Sequence, residues 1–270
     1  MQSTLIRNFF GRVGRATHGF FDGTGRLVKL FGLVLAWTWR SFFQPKVIRR
    51  ESLFYQLVVM GVDSVPIICL VGMSVGTVLA LQAAYQLKTF GAVMYTGALV
   101  SVSMARELGP LIAAIVVAGR IGARIAAELG SMKVQEEVDA LTTMAIDPVR
   151  YLVFPRCLAL FLMLPCLTVI ADTIGMAGGF LIGTTSLGIE PYLYLDKNFD
   201  ALLLKDVYTG LFKSGAFALI IGIVSCYQGL AVEGGAEGVG RATTQAVVNS
   251  IVLIIVADCF FTAVFYYAFP

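Results

Sequence analysis

Charge is scarce in this 270-residue chain: 14% of its residues are Asp, Glu, Lys or Arg, and 58% are hydrophobic. A soluble domain carries about 25% charged and about 45–50% apolar residues. So little charge cannot cover a water-facing surface, and so much apolar surface argues equally against a disordered chain. Histidine is nearly absent too, His18 standing alone, which leaves general-base catalysis few candidates. The five cysteines, Cys69, Cys157, Cys166, Cys226 and Cys259, lie singly inside apolar runs with no CxxC pair. A disulfide framework or a zinc site is therefore not expected, and the cysteines read as small buried hydrophobes. No lysine follows a glycine anywhere in the chain, so there is no GxxxxGK[ST] phosphate-binding loop and no means of driving transport with ATP unaided. An HExxH motif is missing as well.

What remains is the composition of a polytopic membrane protein, with a mean hydropathy of +0.83. The net charge of +3 hides an asymmetry. Arg7, Arg12, Arg15, Arg26, Lys29, Arg40, Lys46, Arg49 and Arg50 crowd the start of the chain, opposed there only by Asp22. Such a basic leader suits a cytoplasmic segment lying on anionic lipid, and its Phe and Leu content argues against nucleic-acid binding. Leu5, Ile6, Phe9, Phe10, Val13, Phe20 and Phe21 fall on one helical face with Arg7, Arg12 and Arg15 on the other, which predicts an interfacial amphipathic helix. A targeting segment is the alternative reading. Residues 1–50 are thus expected to form a membrane-surface segment. Five longer apolar stretches follow, roughly 54–85, 95–122, 152–186, 207–231 and 245–269, each beyond the ~20 residues that cross a bilayer. The third is long enough to tilt, or to break near Pro165. With the basic leader inside, five crossings leave the C-terminus outside and segments 123–150 and 232–244 in the cytoplasm.

Within these stretches the ionisable residues are the informative ones, because each is costly in hydrocarbon unless paired or wetted. The candidates are Asp63, Arg106, Glu107, Asp172, Lys213 and Asp258. Gly109-Pro110 directly after Arg106-Glu107 predicts a kink or interruption there. Adjacent helical positions point apart, so Arg106 and Glu107 should find separate partners, for which Lys213 and Asp258 are available. Ion pairing between helices explains this pattern structurally; a polar patch in an apolar cavity, suited to an amphiphile with a charged head, explains it functionally. Gly72/Gly76 and the ladder Gly175, Gly179, Gly183 predict close helix packing, and GGAEGVG at 234–240 reads as a flexible turn. In KVQEEVDALTTM, 133–144, Val134, Val138, Leu141 and Ala145 recur at helical spacing beside Glu136, Glu137 and Asp139. This predicts a short amphipathic helix that either docks a soluble partner through an apolar ridge with an acidic rim or lies solvated without one.

Three longer segments carry a resemblance. MARELGPLIAAIVVAGRIGARIAAELGSMKVQEEVDAL (104–141), MAIDPVRYLVFPR (144–156) and GRATTQAVVNSIVLIIVADC (240–259), with VLALQ (78–82), resemble the MlaE/YrbE family, the permease subunits of MCE-associated lipid ABC transporters. The likeness covers roughly 52–270, so residues 51–270 are read as an MlaE-type permease domain. It implies an all-α integral membrane fold and a homodimer that is not itself an enzyme. ABC ATPase subunits would bind on the cytoplasmic side, holding the ATP and Mg, and a periplasmic MCE-domain lipid-binding protein on the other. The implied setting is the inner membrane, the cargo phospholipid, and the role maintenance of outer-membrane lipid asymmetry. The family's charged cavity residues fall on Glu107, with Arg106 beside it, Lys213 and Asp258. Arg106 and Lys213 would favour an anionic headgroup while the two carboxylates hold them or gate the cavity. The ATPase-coupling helix falls on about 133–144, with Val134, Glu136, Glu137, Val138, Asp139 and Leu141. An ion- or proton-coupled carrier using Glu107 and Asp258, and an integral lipid-modifying enzyme, are the rival readings.

Overall fold

The computed structural model describes residues 50–268 and, ahead of them, only Gly25, Gly32 and Leu33. The amphipathic helix expected over residues 5–21 lies outside the described residues. Among those described every regular element is helical. Five helices are long and apolar enough to cross a membrane: Glu51–Lys88, Val93–Val134, Val149–Thr185, Leu204–Leu230 and Gly235–Tyr267. The first crossing comprises α1 (Arg50–Met60) and α2 (Val65–Lys88), joined by a 3-10 turn at Val62–Ser64. The second is built from α3 (Thr96–Ser103), α4 (Gly109–Val117) and α5 (Ala123–Val134), with π turns at Met104–Leu108 and Ala118–Gly122. A short helix α6 (Glu137–Thr143) and a π turn at Val149–Val153 lead into α7 (Phe154–Thr185). Helix α8 (Pro191–Ala201) precedes α9 (Leu204–Leu230) and α10 (Gly235–Ala268).

Each apolar stretch thus marks one crossing, but one boundary moves and one alternative falls away. The second crossing continues well past residue 122, because α5 turns amphipathic: Ile125, Ala126 and Leu129 stay buried while Arg124, Glu128 and Lys133 face outward. The third runs unbroken through Pro165, where Leu164 and Leu167 anchor α7 in the core. A membrane helix keeps a proline in line when its neighbours hold it.

Packing follows the small residues. Gly72 and Gly76 of α2 lie against Ala171 and Gly175 of α7, and a methyl on Gly76 would run into the Gly175 carbonyl. Close backbone approach of this kind is what small residues at four-residue spacing permit. The core gathers Ala113, Val117, Leu160, Leu164, Phe217 and Ile221 from α4, α7 and α9. Arg120 reaches from the second π turn to the first crossing, its Nη1 donating to Ser64 Oγ at 2.6 Å. By contrast α10 leaves a stripe uncovered: Val248, Val252, Val256, Phe260 and Val264 are all exposed. Cys157 and Cys226 are buried as expected, whereas Cys166 and Cys259 stand exposed on outer helix faces. One end of the bundle carries α6 and the α9–α10 turn, where Gly234 and Gly235 take φ of 89° and 72°. At the other end α8 inserts Tyr194, fully buried in the hollow left by Gly97, Gly179 and Gly183.

Candidate functional site: a buried charged cluster

The Gly109-Pro110 interruption takes the form of a π turn. Met104–Leu108 widens by one residue and α4 starts directly after it, with the proline near its first turn, where no donor is needed. This turn presents Glu107 to α9 and α10. Lys213 of α9 donates to Glu107 Oε2, to Asp258 Oδ1 at 3.0 Å and to Thr262 Oγ1 at 2.8 Å. The Lys213 side chain is 1% exposed, whereas those of Glu107 and Asp258 are 31% and 17% exposed. A buried ammonium is tolerable only when its charge and its three donors are matched, and here all three have acceptors. Thr262, one turn beyond Asp258, lies 3.1 Å from Glu107 Oε2 and 2.8 Å from the Asp258 carbonyl oxygen.

Arg106 points away from that centre, as neighbouring positions must. Its Nη1 lies 3.9 Å from Asp206 Oδ1, a loose contact, and its side chain is 32% exposed. Asp206 in turn accepts from the Leu203 backbone N–H at 3.2 Å at the start of α9. The structure therefore brings Glu107, Lys213 and Asp258 together and places Arg106 beside them with a partner of its own. The local charge differs from the anion-attracting pair expected of Arg106 and Lys213. Two cations, Arg106 and Lys213, meet three carboxylates, Glu107, Asp206 and Asp258, which leaves one formal negative charge in excess. Sequence reasoning missed Asp206 and Thr262. Both had a signal: Asp206 lies seven residues before Lys213 on the same helical face, and Thr262 lies four after Asp258. Asp63 is exposed at the 3-10 turn of the first crossing. Asp172 is buried with Oδ1 unpartnered among the described residues, packed where a Gly109 side chain would otherwise stand. Neither bonds to the cluster.

The helix expected over 133–144 is two elements. Val134 ends α5, and Glu136, at φ 61°, turns the chain before α6 begins at Glu137. Lys133 Nζ bridges that turn, 2.9 Å from both oxygens of Asp139. The expected outward apolar ridge divides: Val138 is buried and Leu141 packs on the core, whereas Val134 and Ala145 stay exposed. The periodicity was real, but apolar residues on a short helix first satisfy their own bundle. What α6 and the chain after it present outward is Glu137, Asp139, Met144 and Ile146. Beneath it Glu128 links two crossings, accepting from Arg124 Nε at 2.6 Å and from Arg156 Nη2 at 3.3 Å.

Known proteins give this geometry a context. A family model described as permease MlaE matches residues 53–264. A Rickettsia bellii protein named "Probable ABC transporter permease protein" is 45% identical over 97% of this chain and 99% of its own length. A Synechocystis protein bearing the same description is 40% identical over 87% of this chain and 89% of its own. The chloroplastic Arabidopsis thaliana protein TRIGALACTOSYLDIACYLGLYCEROL 1 is 38% identical over 81% of this chain and 63% of its own. A multi-pass helical bundle with these relatives, matched by that model along most of its length, belongs to the MlaE permease family and is a permease subunit of the ABC transporter type.

Proposed function

We propose that this permease moves phospholipid between the inner membrane and a periplasmic MCE-domain partner, and that this flux maintains outer-membrane lipid asymmetry. The observation that carries the reading is the polar cluster of Glu107, Lys213 and Asp258, retained among apolar crossings with its carboxylates still partly open. Ionisable groups at membrane depth are retained where a polar guest or water visits them. A relative whose name is that of a diacylglycerol glycolipid is in keeping with lipid cargo. Two copies facing across the uncovered stripe of α10 would enclose an apolar space for acyl chains, each CH₂ gaining about 0.8 kcal/mol on leaving water. The end that carries α6 is cytoplasmic in this reading, as is the N-terminus, and the C-terminus is periplasmic. ATP and Mg are held by the ATPase subunits; this chain supplies the path and the contact through α6 and Met144. Closure of the ATPase pair would favour the permease state with the lower lipid affinity and so expel the lipid.

The test is Glu107→Ala with Lys213→Ala in liposomes reconstituted with the ATPase and the MCE partner. ATP-dependent lipid transfer is expected to fall at least about tenfold, one charge-assisted hydrogen bond being worth that much. Unchanged transfer overturns the role of the cluster. Transfer that needs a pH gradient and no ATPase supports a carrier with Glu107 and Asp258 as its relay instead.

A further inference from the structure

The cluster has separate places for two opposite charges. Lys213, the cation sequence reasoning offers to an anionic headgroup, has none to give: its three donors are committed to Glu107, Asp258 and Thr262, and it is 1% exposed. The cation left to bind a guest is Arg106, a third exposed and held only by the 3.9 Å contact with Asp206 among the described residues. A guanidinium has five donors in a planar fork suited to phosphate. On the carboxylate side the surplus lies with Glu107 and Asp258. Asp258 Oδ2 accepts from no donor among the described residues, while Oδ1 takes Lys213. An acceptor with a free oxygen, in a cluster one negative charge in excess, favours a donor that is itself positive.

We infer that the cluster selects lipids with a zwitterionic aminophosphate headgroup: the phosphate goes to Arg106 and the ammonium to Glu107 and Asp258. The inference rests on the lipid-permease reading and adds the headgroup to it. Arg106 and Glu107 are consecutive, and their α9 partners Asp206 and Lys213 stand seven residues apart, about 10 Å along the axis. One headgroup with phosphate and amine two carbons apart spans the interval together with the side chains reaching for it. A purely anionic headgroup satisfies Arg106 and then meets the excess carboxylate, a like-charge contact.

The experiment uses the full-length permease with its ATPase bound. The complex is equilibrated with detergent micelles holding equal amounts of phosphatidylethanolamine and phosphatidylglycerol of identical acyl chains, and retained lipid is counted by mass spectrometry. The expected result is about tenfold enrichment of phosphatidylethanolamine, the worth of one charge-assisted hydrogen bond. Asp258→Asn, checked for folding by thermal melting, is expected to bring the ratio close to one while lipid is still retained. Arg106→Gln is expected to lower retention of both lipids. Phosphatidylcholine in place of phosphatidylethanolamine reads the same contact without any substitution, since its trimethylated amine keeps the charge but has no N–H to donate, and its enrichment over phosphatidylglycerol is expected to be smaller than that of phosphatidylethanolamine. Equal retention, enrichment of phosphatidylglycerol, an undiminished ratio in Asp258→Asn, or phosphatidylcholine retained as well as phosphatidylethanolamine each overturns the headgroup assignment and leaves the lipid reading standing. Retention of no lipid at all overturns the lipid reading itself.

Discussion

Replacing Lys213 with methionine keeps the volume of the side chain and removes its charge. Glu107 of the second crossing and Asp258 of α10 then face each other with no cation between them, and Thr262 has one donor to share. Removing one member of a buried ion pair costs about 3–5 kcal/mol, because the partner stays charged and desolvated. The carboxylates here are 31% and 17% exposed, so the lower end, about 3 kcal/mol, is the appropriate figure. In a chain of this size each kcal/mol lowers the melting temperature by about 2–4 °C, which predicts a loss of about 6–12 °C. Thermal unfolding of the purified permease in one detergent, followed by intrinsic fluorescence, measures this directly. The triple variant Lys213→Met/Glu107→Gln/Asp258→Asn has no stranded charge and is expected to regain most of the loss. A single variant that melts with the wild type, or a triple variant no more stable than the single one, refutes the view that the three residues form one electrostatic unit.

Gly76→Ala places a methyl against the Gly175 carbonyl, and separating α2 from α7 to make room is expected to cost about 1–3 kcal/mol in the same melting assay; wild-type melting would show that the helices do not meet there. Tyr194 lies outside the crossings, and burial pushes its phenol up to about 12 from an ordinary value of 10. The folded state therefore keeps a proton that the unfolded chain releases, so stability is full below pH 10 and declines as pH rises toward about 12. Its hydroxyl has no partner among the described residues, so Tyr194→Phe is expected to change stability by less than about 1 kcal/mol at neutral pH and to flatten the alkaline decline; an unchanged alkaline limb counts against the assignment. Met144→Asp, at an exposed site beside α6, is expected to weaken ATPase co-purification by about tenfold or more with the permease's own melting unchanged. Equal recovery of the ATPase means the contact lies elsewhere.

The crossings were legible because hydrocarbon thickness imposes a minimum length on every apolar run, and no other part of the described residues meets it. Their ends were not, since α5 continues as a helix after its outward face has turned polar at Arg124 and Glu128. Glu107, Lys213 and Asp258 could be singled out because a charge in an apolar run must find company. Which one took which was a matter of three dimensions: a one-residue widening at Met104–Leu108 decides where Glu107 points, and no residue spacing encodes it. Asp206 escaped notice because it sits before the apolar run begins, although the helix had already started at Leu204. For α6 the same apolar period serves an inward or an outward face, so sequence could place the helix but not its orientation.

The second crossing is 42 residues long, about 63 Å of helix where the hydrocarbon asks for about 30 Å. Glu107 sits about a third of the way along it, and Val134, where α6 is attached, forms its foot about 40 Å below. The π turn at Ala118–Gly122 lies between them as a point where the shaft can yield. Tilting the lower part by about 10° there swings the foot sideways by about 4 Å. In the proposed reading a single polypeptide lever would connect the surface that meets a motor with the groups that meet the cargo, and no relay of side chains would be needed to carry the stroke.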